Sequence, residues 1–189
     1  CFLASLIVDN QVTYKLIKPE ENQNHLHITL IQGLPKGSKN DFVLKSATFL
    51  GASAICFVQM KRSIAKLENT DHKTKRYQMI LKEASELSHR QDIPKVFFKK
   101  NLNEIDFHMF DHIYLADEEE LSMTLKKAVI NPLKNSKIAV IIGPEGGIDS
   151  TERAFLKTVH AVPVSLGPRI LPTEYAHIPI LSYIHVQND

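Results

Sequence analysis

The chain has 189 residues, 43% hydrophobic and 23% charged, with a formal net charge of +2. That is enough for one medium domain, or one domain and part of a second, to bury a core unaided. Two cysteines, Cys1 and Cys56, exclude a disulfide scaffold or a cysteine metal cage and suit a reduced, cytoplasmic compartment. No apolar run approaches the roughly 20 residues that span a bilayer, and the first residues lack an export signal, so no membrane association is expected. Because the first residue is Cys1 rather than methionine, a longer native chain is expected upstream.

The small net charge conceals an asymmetry. Residues 1 to 100 carry 16 Lys/Arg against 9 Asp/Glu, whereas residues 101 to 189 carry 7 against 12. The basic excess lies between Lys36 and Lys100. A phosphate-binding face needs such a surplus, although solvated helix faces also produce one.

In chain order, Phe2 to Tyr14 reads as two short strands around the turn Asp9-Asn10, with Pro19, Glu20, Glu21 and Asn22 as a polar linker. Apolar segments of alternating period then predict a strand over His27–Ile31, a helix over Asp41–Leu50 closed by Gly51, and a strand over Ala54–Val58. A long amphipathic helix follows over Asp71–His89, with Tyr77, Ile80, Leu81, Ala84 and Leu87 on one face. Further strands are predicted at Lys95–Phe98, His112–Ala116, Lys137–Ile142 and Ala161–Leu166. Helices are predicted near Asn103–His108, Glu119–Ala128, Ser150–Thr158 and Thr173–His185. This βαβ rhythm implies an α/β fold, a mainly parallel sheet with helices on both faces.

Two loops carry the chemical signal. The apolar strand to Ile142 ends abruptly in Gly143-Pro144-Glu145-Gly146-Gly147, where glycines permit close backbone approach and Asp149 with Glu152 forms a capping pair for the next helix. Ligands of open α/β sheets sit outside such strand ends. After the next strand comes Leu166-Gly167-Pro168-Arg169-Ile170-Leu171-Pro172-Thr173-Glu174. Its apolar Leu166, Ile170 and Leu171 suit the walls of a purine site, and Thr173-Glu174 opens the terminal helix at its positive end. In a purely structural reading, Arg169 pairs with Glu145 or Glu174.

These paired loops resemble the signature of the ribosomal small-subunit RNA uridine N3-methyltransferases, the RsmE family of the SPOUT superfamily. Leu34-Pro35-Lys36-Gly37, the helix ending Ala47-Thr48-Phe49-Leu50-Gly51, Lys61-Arg62-Ser63, Glu83-Ala84, Ser88-His89-Arg90 and Ile93-Pro94 are similar to family blocks in the same order. The resemblance covers nearly everything after His25. It departs at Pro172, where the family usually has arginine, at Phe49, usually glutamate, and at Tyr175, usually threonine.

The resemblance implies a C-terminal trefoil knot, S-adenosylmethionine as cofactor, a homodimer, and methylation of N3 of a uridine in the RNA of the small ribosomal subunit. It also implies that residues 1–24 are the end of a PUA-like β-barrel, with the methyltransferase domain spanning residues 25–189. Cofactor binding is expected from Ile142, Gly143, Pro144, Glu145, Gly146, Gly147, Leu166, Gly167, Ile170, Leu171 and Thr173. Arg169 is the first candidate to stabilise the anion that forms when the uracil N3 proton leaves, and Glu174 is a candidate base or orienting group. Lys61, Arg62, Arg76 and Arg90 are expected to contact RNA phosphates. The apolar Ile178, Ile180, Leu181 and Ile184 suit either a dimer interface or coverage of the sheet.

Other classes fit less well. No Gly-x-Gly-x-x-Gly or phosphate-binding Gly-Lys-Ser/Thr loop follows a strand, which argues against a dinucleotide oxidoreductase or an ATPase. His108 and His112 share the i,i+4 spacing of helical metal ligands, but Met109 stands where a metalloprotease has its glutamate, so no metal is expected. An RNA-binding assembly protein that keeps the fold without the activity is the principal alternative.

Overall fold

The computed structural model describes residues 2–8, 11–16, 26–68, 70–129 and 135–188. Strands β1 (Phe2–Val8) and β2 (Gln11–Leu16) form an antiparallel hairpin with Val8 opposite Gln11. The Asp9-Asn10 turn and the Pro19 to Asn22 linker lie outside the described residues.

The main sheet has six strands: β3 (His27–Gly33), β4 (Ala54–Val58), β5 (Lys95–Lys99), β6 (His112–Ala116), β7 (Lys137–Ile142) and β8 (Val162–Val164). All pairings are parallel, in the order β5-β4-β3-β7-β6-β8. The chain therefore builds outward from β3 to one edge, then returns to lay β7 against the other side of β3. β7 is apolar along Ile138 to Ile142 because both its faces are buried. Ile138, Val140 and Ile142 join one core with Leu30, Phe57 and Leu181, while Ala139 and Ile141 join a second with Ile31, Ile148 and Leu156.

Helices α1 (Lys39–Phe49), α2 (Thr70–Leu87) and α5 (Thr173–Asn188) cover the first face, with α1 packed against both others. Helix α4 (Ser150–Thr158) covers the second through Leu156, and the capping box of Asp149 and Glu152 opens it. Ile180, Leu181 and Ile184 are fully buried against the sheet. They hold α5 to its own domain, while Tyr175, Ile178 and Pro179 line a surface cavity beside it.

Several predicted elements change extent. The helix expected over Glu119–Ala128 is reduced to one turn, α3 (Leu125–Ala128), because the Glu120 carboxylate bends back to accept from the amides of Ser122 and Met123, and Thr124 bridges Ser165. The segment around Asn103–His108 forms two 3₁₀ turns, Leu102–Glu104 and Phe107–Met109, with Asp106 accepting from the His108 amide. His108 and His112 thus sit on a turn and a strand, not on one helix. β8 is three residues long and contains Pro163, which an edge strand tolerates because no neighbour needs its missing N–H. Pro172 stands directly before α5, and its carbonyl accepts from Tyr175 and Ala176, so the absent amide costs the helix nothing there.

Candidate active site

The loops after β7 and β8 meet at a cavity of about 430 Å³ outside the carboxyl ends of the strands. Gly143 to Gly147 form one wall and Ser165 to Thr173 the other, so Ile142 and all the predicted cofactor-loop residues come together. Arg169 lies on the same lining, exposed, while Glu174 stands just behind it. Arg169 pairs with neither Glu145 nor Glu174. Lys39 takes that place instead, with Nζ 3.3 Å from Glu145 and 3.1 Å from Glu174.

This ion triad joins three elements, since Glu145 also accepts from the Lys36 amide at 3.0 Å. The hydrogen bond to Glu174 is the largest influence holding the Lys39 ammonium above its ordinary pKa. Burial alone would raise Glu145, but the Lys36 and Glu145 amides and the Lys39 ammonium together hold its carboxyl below the usual range. Both groups are therefore charged at neutral pH.

A second tie runs beneath the loops. Gln32, fully buried in β3, donates from Nε2 to Thr173 Oγ1 at 2.8 Å, and the Thr173 hydroxyl in turn donates a hydrogen bond to the Gly143 carbonyl. The cofactor loop and the start of α5 are thus fastened to the central strand. Gly33, next along β3, abuts Gly143 and Pro144 so closely that a Cβ there would overlap their backbone. Gly147 adopts φ +72°, and a Cβ on it would strike the Glu118 carboxylate. A Cβ on Gly146 would come within 2.9 Å of Arg62. The sequence pattern did not single out Gln32, Gly33, Lys39 or Glu118. A lone amide in an apolar strand was the available signal for Gln32.

The basic residues divide. Lys61 and Arg62 follow β4 and sit beside the glycine loop: the Lys61 amide donates to Glu152 at 2.9 Å, Arg62 donates to the Gly146 carbonyl at 3.3 Å, and both side chains pair with Asp149, at 3.6 and 3.8 Å. Arg76 forms a two-pronged pair with Asp41. Arg90 donates to the carbonyls of Thr48 and Ala52 at 2.8 and 2.9 Å and pairs with Asp92. Its guanidinium closes the end of α1.

A family profile for the RNA methyltransferase domain matches residues 22–185. Ribosomal RNA small subunit methyltransferase E of Bacillus subtilis is 34% identical over 178 residues, 90% of this chain and 70% of that protein. The protein of the same name from Synechocystis is 32% identical over 175 residues, covering 88% and 55%. Among solved structures, the Legionella pneumophila protein Lpg2936 in complex with SAM aligns with a TM-score of 0.78 at 26% identity, over 98% of this chain and 77% of that one. Ribosomal RNA small subunit methyltransferase E of Neisseria gonorrhoeae, bound to S-adenosyl methionine, shares the fold at a TM-score of 0.75 and 23% identity, again over 98% and 77%.

Parallel sheet, paired loops and domain match together define an RNA methyltransferase domain. Within that class the chain belongs to the ribosomal RNA small subunit methyltransferase E family.

Proposed function

We propose that this protein is an S-adenosylmethionine-dependent methyltransferase that modifies N3 of a uridine in the RNA of the small ribosomal subunit. The observation that carries the reading is the cavity between residues 143–147 and 165–173, in a chain of this family. Its size suits a nucleoside cofactor, since small-molecule sites run from roughly 300 to 1,000 Å³. Leu166, Ile170 and Leu171 offer apolar walls, and the lining carries Asp117, Glu118, Glu120 and Glu145 against Lys39 and Arg169, an acidic excess that favours a cationic ligand.

When bound, S-adenosylmethionine supplies an electrophilic sulfonium methyl. The chain must hold the uracil in line at about 3 to 3.5 Å from that methyl and accept the loss of the N3 proton. Arg169 has no hydrogen bond or ion pair among the described residues, so its guanidinium remains available to stabilise the uracil anion. Glu174 is held by Lys39 and orients that ammonium toward the cavity; its role is positioning rather than proton abstraction.

The strand order places the charges of the two halves of the sequence side by side. Lys36, Lys61, Arg62 and Lys100 follow β3, β4 and β5, and Lys99 ends β5, whereas Asp117, Glu118, Glu119, Glu120, Glu145 and Asp149 follow β6 and β7. RNA phosphates would lie over the basic half, with the cofactor in the acidic half. Lys61 and Arg62 are the core of this RNA face. The target uridine must be unpaired or flipped, because N3 is hidden in a base pair.

A homodimer accords with the second cavity, about 350 Å³, between Arg169, Leu171, Tyr175, Ile178 and Pro179 on the outer side of α5. A knotted C-terminus, a PUA-like origin for residues 1–24 and a cytoplasmic setting complete the proposal. Methyl transfer from labelled S-adenosylmethionine to isolated small subunits, with the product nucleoside identified by mass spectrometry, tests the function. A Gly147→Val variant should fold yet lose cofactor binding by calorimetry. Cofactor binding without any methyl transfer would favour the assembly-protein alternative.

A further inference from the structure

Of the four carboxylates lining the main cavity, three are already committed. Asp117 pairs two-pronged with Arg153 at 2.8 and 2.9 Å, Glu120 accepts from Ser122 and Met123, and Glu145 is held by Lys39 and the Lys36 amide. Glu118 makes no hydrogen bond or ion pair among the described residues; it is felt only through space by Arg153. It is nevertheless not a stray surface acid. It follows β6, the strand paired with β7 in register Ala116↔Ile142, and its carboxylate fills the space that the missing Cβ of Gly147 leaves. The glycine loop is therefore shaped around this carboxylate.

An acid at the end of the strand beside a glycine loop is the arrangement by which α/β nucleotide sites hold a ribose, because two carboxylate oxygens accept from vicinal hydroxyls. We propose that Glu118 is a specificity-determining residue that accepts hydrogen bonds from the ribose 2′- and 3′-hydroxyls of the adenosyl cofactor. This rests on the cofactor reading above and adds the group by which the site requires a ribonucleoside. Asp117 is excluded from the role by Arg153, and Glu145 by Lys39.

The test compares calorimetric affinities for S-adenosylmethionine, S-adenosylhomocysteine and 2′-deoxy-S-adenosylhomocysteine in the parent and in Glu118→Ala. Glu118 is exposed, so the variant should unfold at the parent's temperature. The parent should prefer the ribo over the deoxy compound by about tenfold or more, because a site built around a hydroxyl rejects its absence. The variant should bind the ribo compounds at least about tenfold more weakly and bind the two homocysteine nucleosides equally. Undiminished ribo preference in the variant would overturn the assignment, as would a variant that loses only its preference for the sulfonium over the thioether. A parent that binds none of the three overturns the cofactor reading itself, a distinct result.

Discussion

Gln32 and Thr173, 141 positions apart, are joined by a 2.8 Å hydrogen bond in which the buried amide donates to the threonine hydroxyl. Thr173 then donates to Gly143, so one side chain anchors both the glycine loop and the start of α5. Replacing Thr173 by valine removes one of the two acceptors of the Gln32 amide nitrogen, which still donates to the Gly33 carbonyl, and the hydroxyl that donates to Gly143, at about 1–3 kcal/mol of stability. Urea unfolding should show that loss, and cofactor affinity should fall by about tenfold as the loop loses its anchor. Thr173→Ser should retain both. A valine variant with parental affinity would dissociate the anchor from the site.

Lys39 stands between two carboxylates, and its removal leaves Glu145 and Glu174 facing each other uncompensated. In Lys39→Met, methyl transfer should fall by about tenfold or more. Adding Glu145→Gln should restore part of the loss, because the two changes share one network and cannot be additive. Strict additivity in rates would mean that Lys39 acts independently of the triad.

The split among the basic residues predicts different salt behaviour. Lys61→Ala with Arg62→Ala should lower the log-log salt slope of RNA binding by roughly 0.7 to 0.9 per lost phosphate contact, while cofactor affinity stays close to the parent. Arg90→Ala should leave the slope unchanged and instead lower the thermal midpoint, because it uncaps the Thr48 and Ala52 carbonyls. A reduced slope in Arg90→Ala, measured by filter binding across salt concentrations, would return that residue to the RNA face.

His177 is fully buried between α5 and α1, where burial pushes its pKa down to about 4. Ser46 bonds both the Phe42 carbonyl and His177 Nε2, the latter at 2.8 Å. The folded state therefore holds a neutral imidazole while the unfolded chain protonates near pH 6.5. The stabilisation is complete above that value and declines as pH falls from about 6.5 toward 4, at up to ~1.4 kcal/mol per unit. Urea titrations of the parent and His177→Gln over this range should differ in slope, the variant being flatter. Parallel curves would show that other groups govern acid stability.

Much of the fold follows from local pattern. The unbroken apolar run Ile138–Ile142 identified a strand buried on both faces, and the glycines after it marked where backbone could approach a ligand. Asp149 and Glu152 announced the capping box that opens α4. Local pattern failed where a side chain redirected its own backbone, as Glu120 does in dissolving most of the helix expected over Glu119–Ala128. The apolar face of α5 was legible as apolar, but only the packing assigns Ile180, Leu181 and Ile184 to the sheet.

The composition of the site depended on contacts between distant parts of the chain. Sequence placed Arg169 near Glu145 and Glu174 as a plausible pair, yet the ammonium between those acids comes from Lys39, more than a hundred residues upstream. Strand order is the reason: β7 inserts beside β3, which brings the start of α1 against a loop the chain reaches only much later. The same insertion turns the charge imbalance between the two halves of the sequence into a basic and an acidic half of one rim. Residue types and their spacing determine which strands, loops and caps are possible. Which carboxylates are neutralised and which remain to receive a ligand is decided by the tertiary pairing that sets each against its partner.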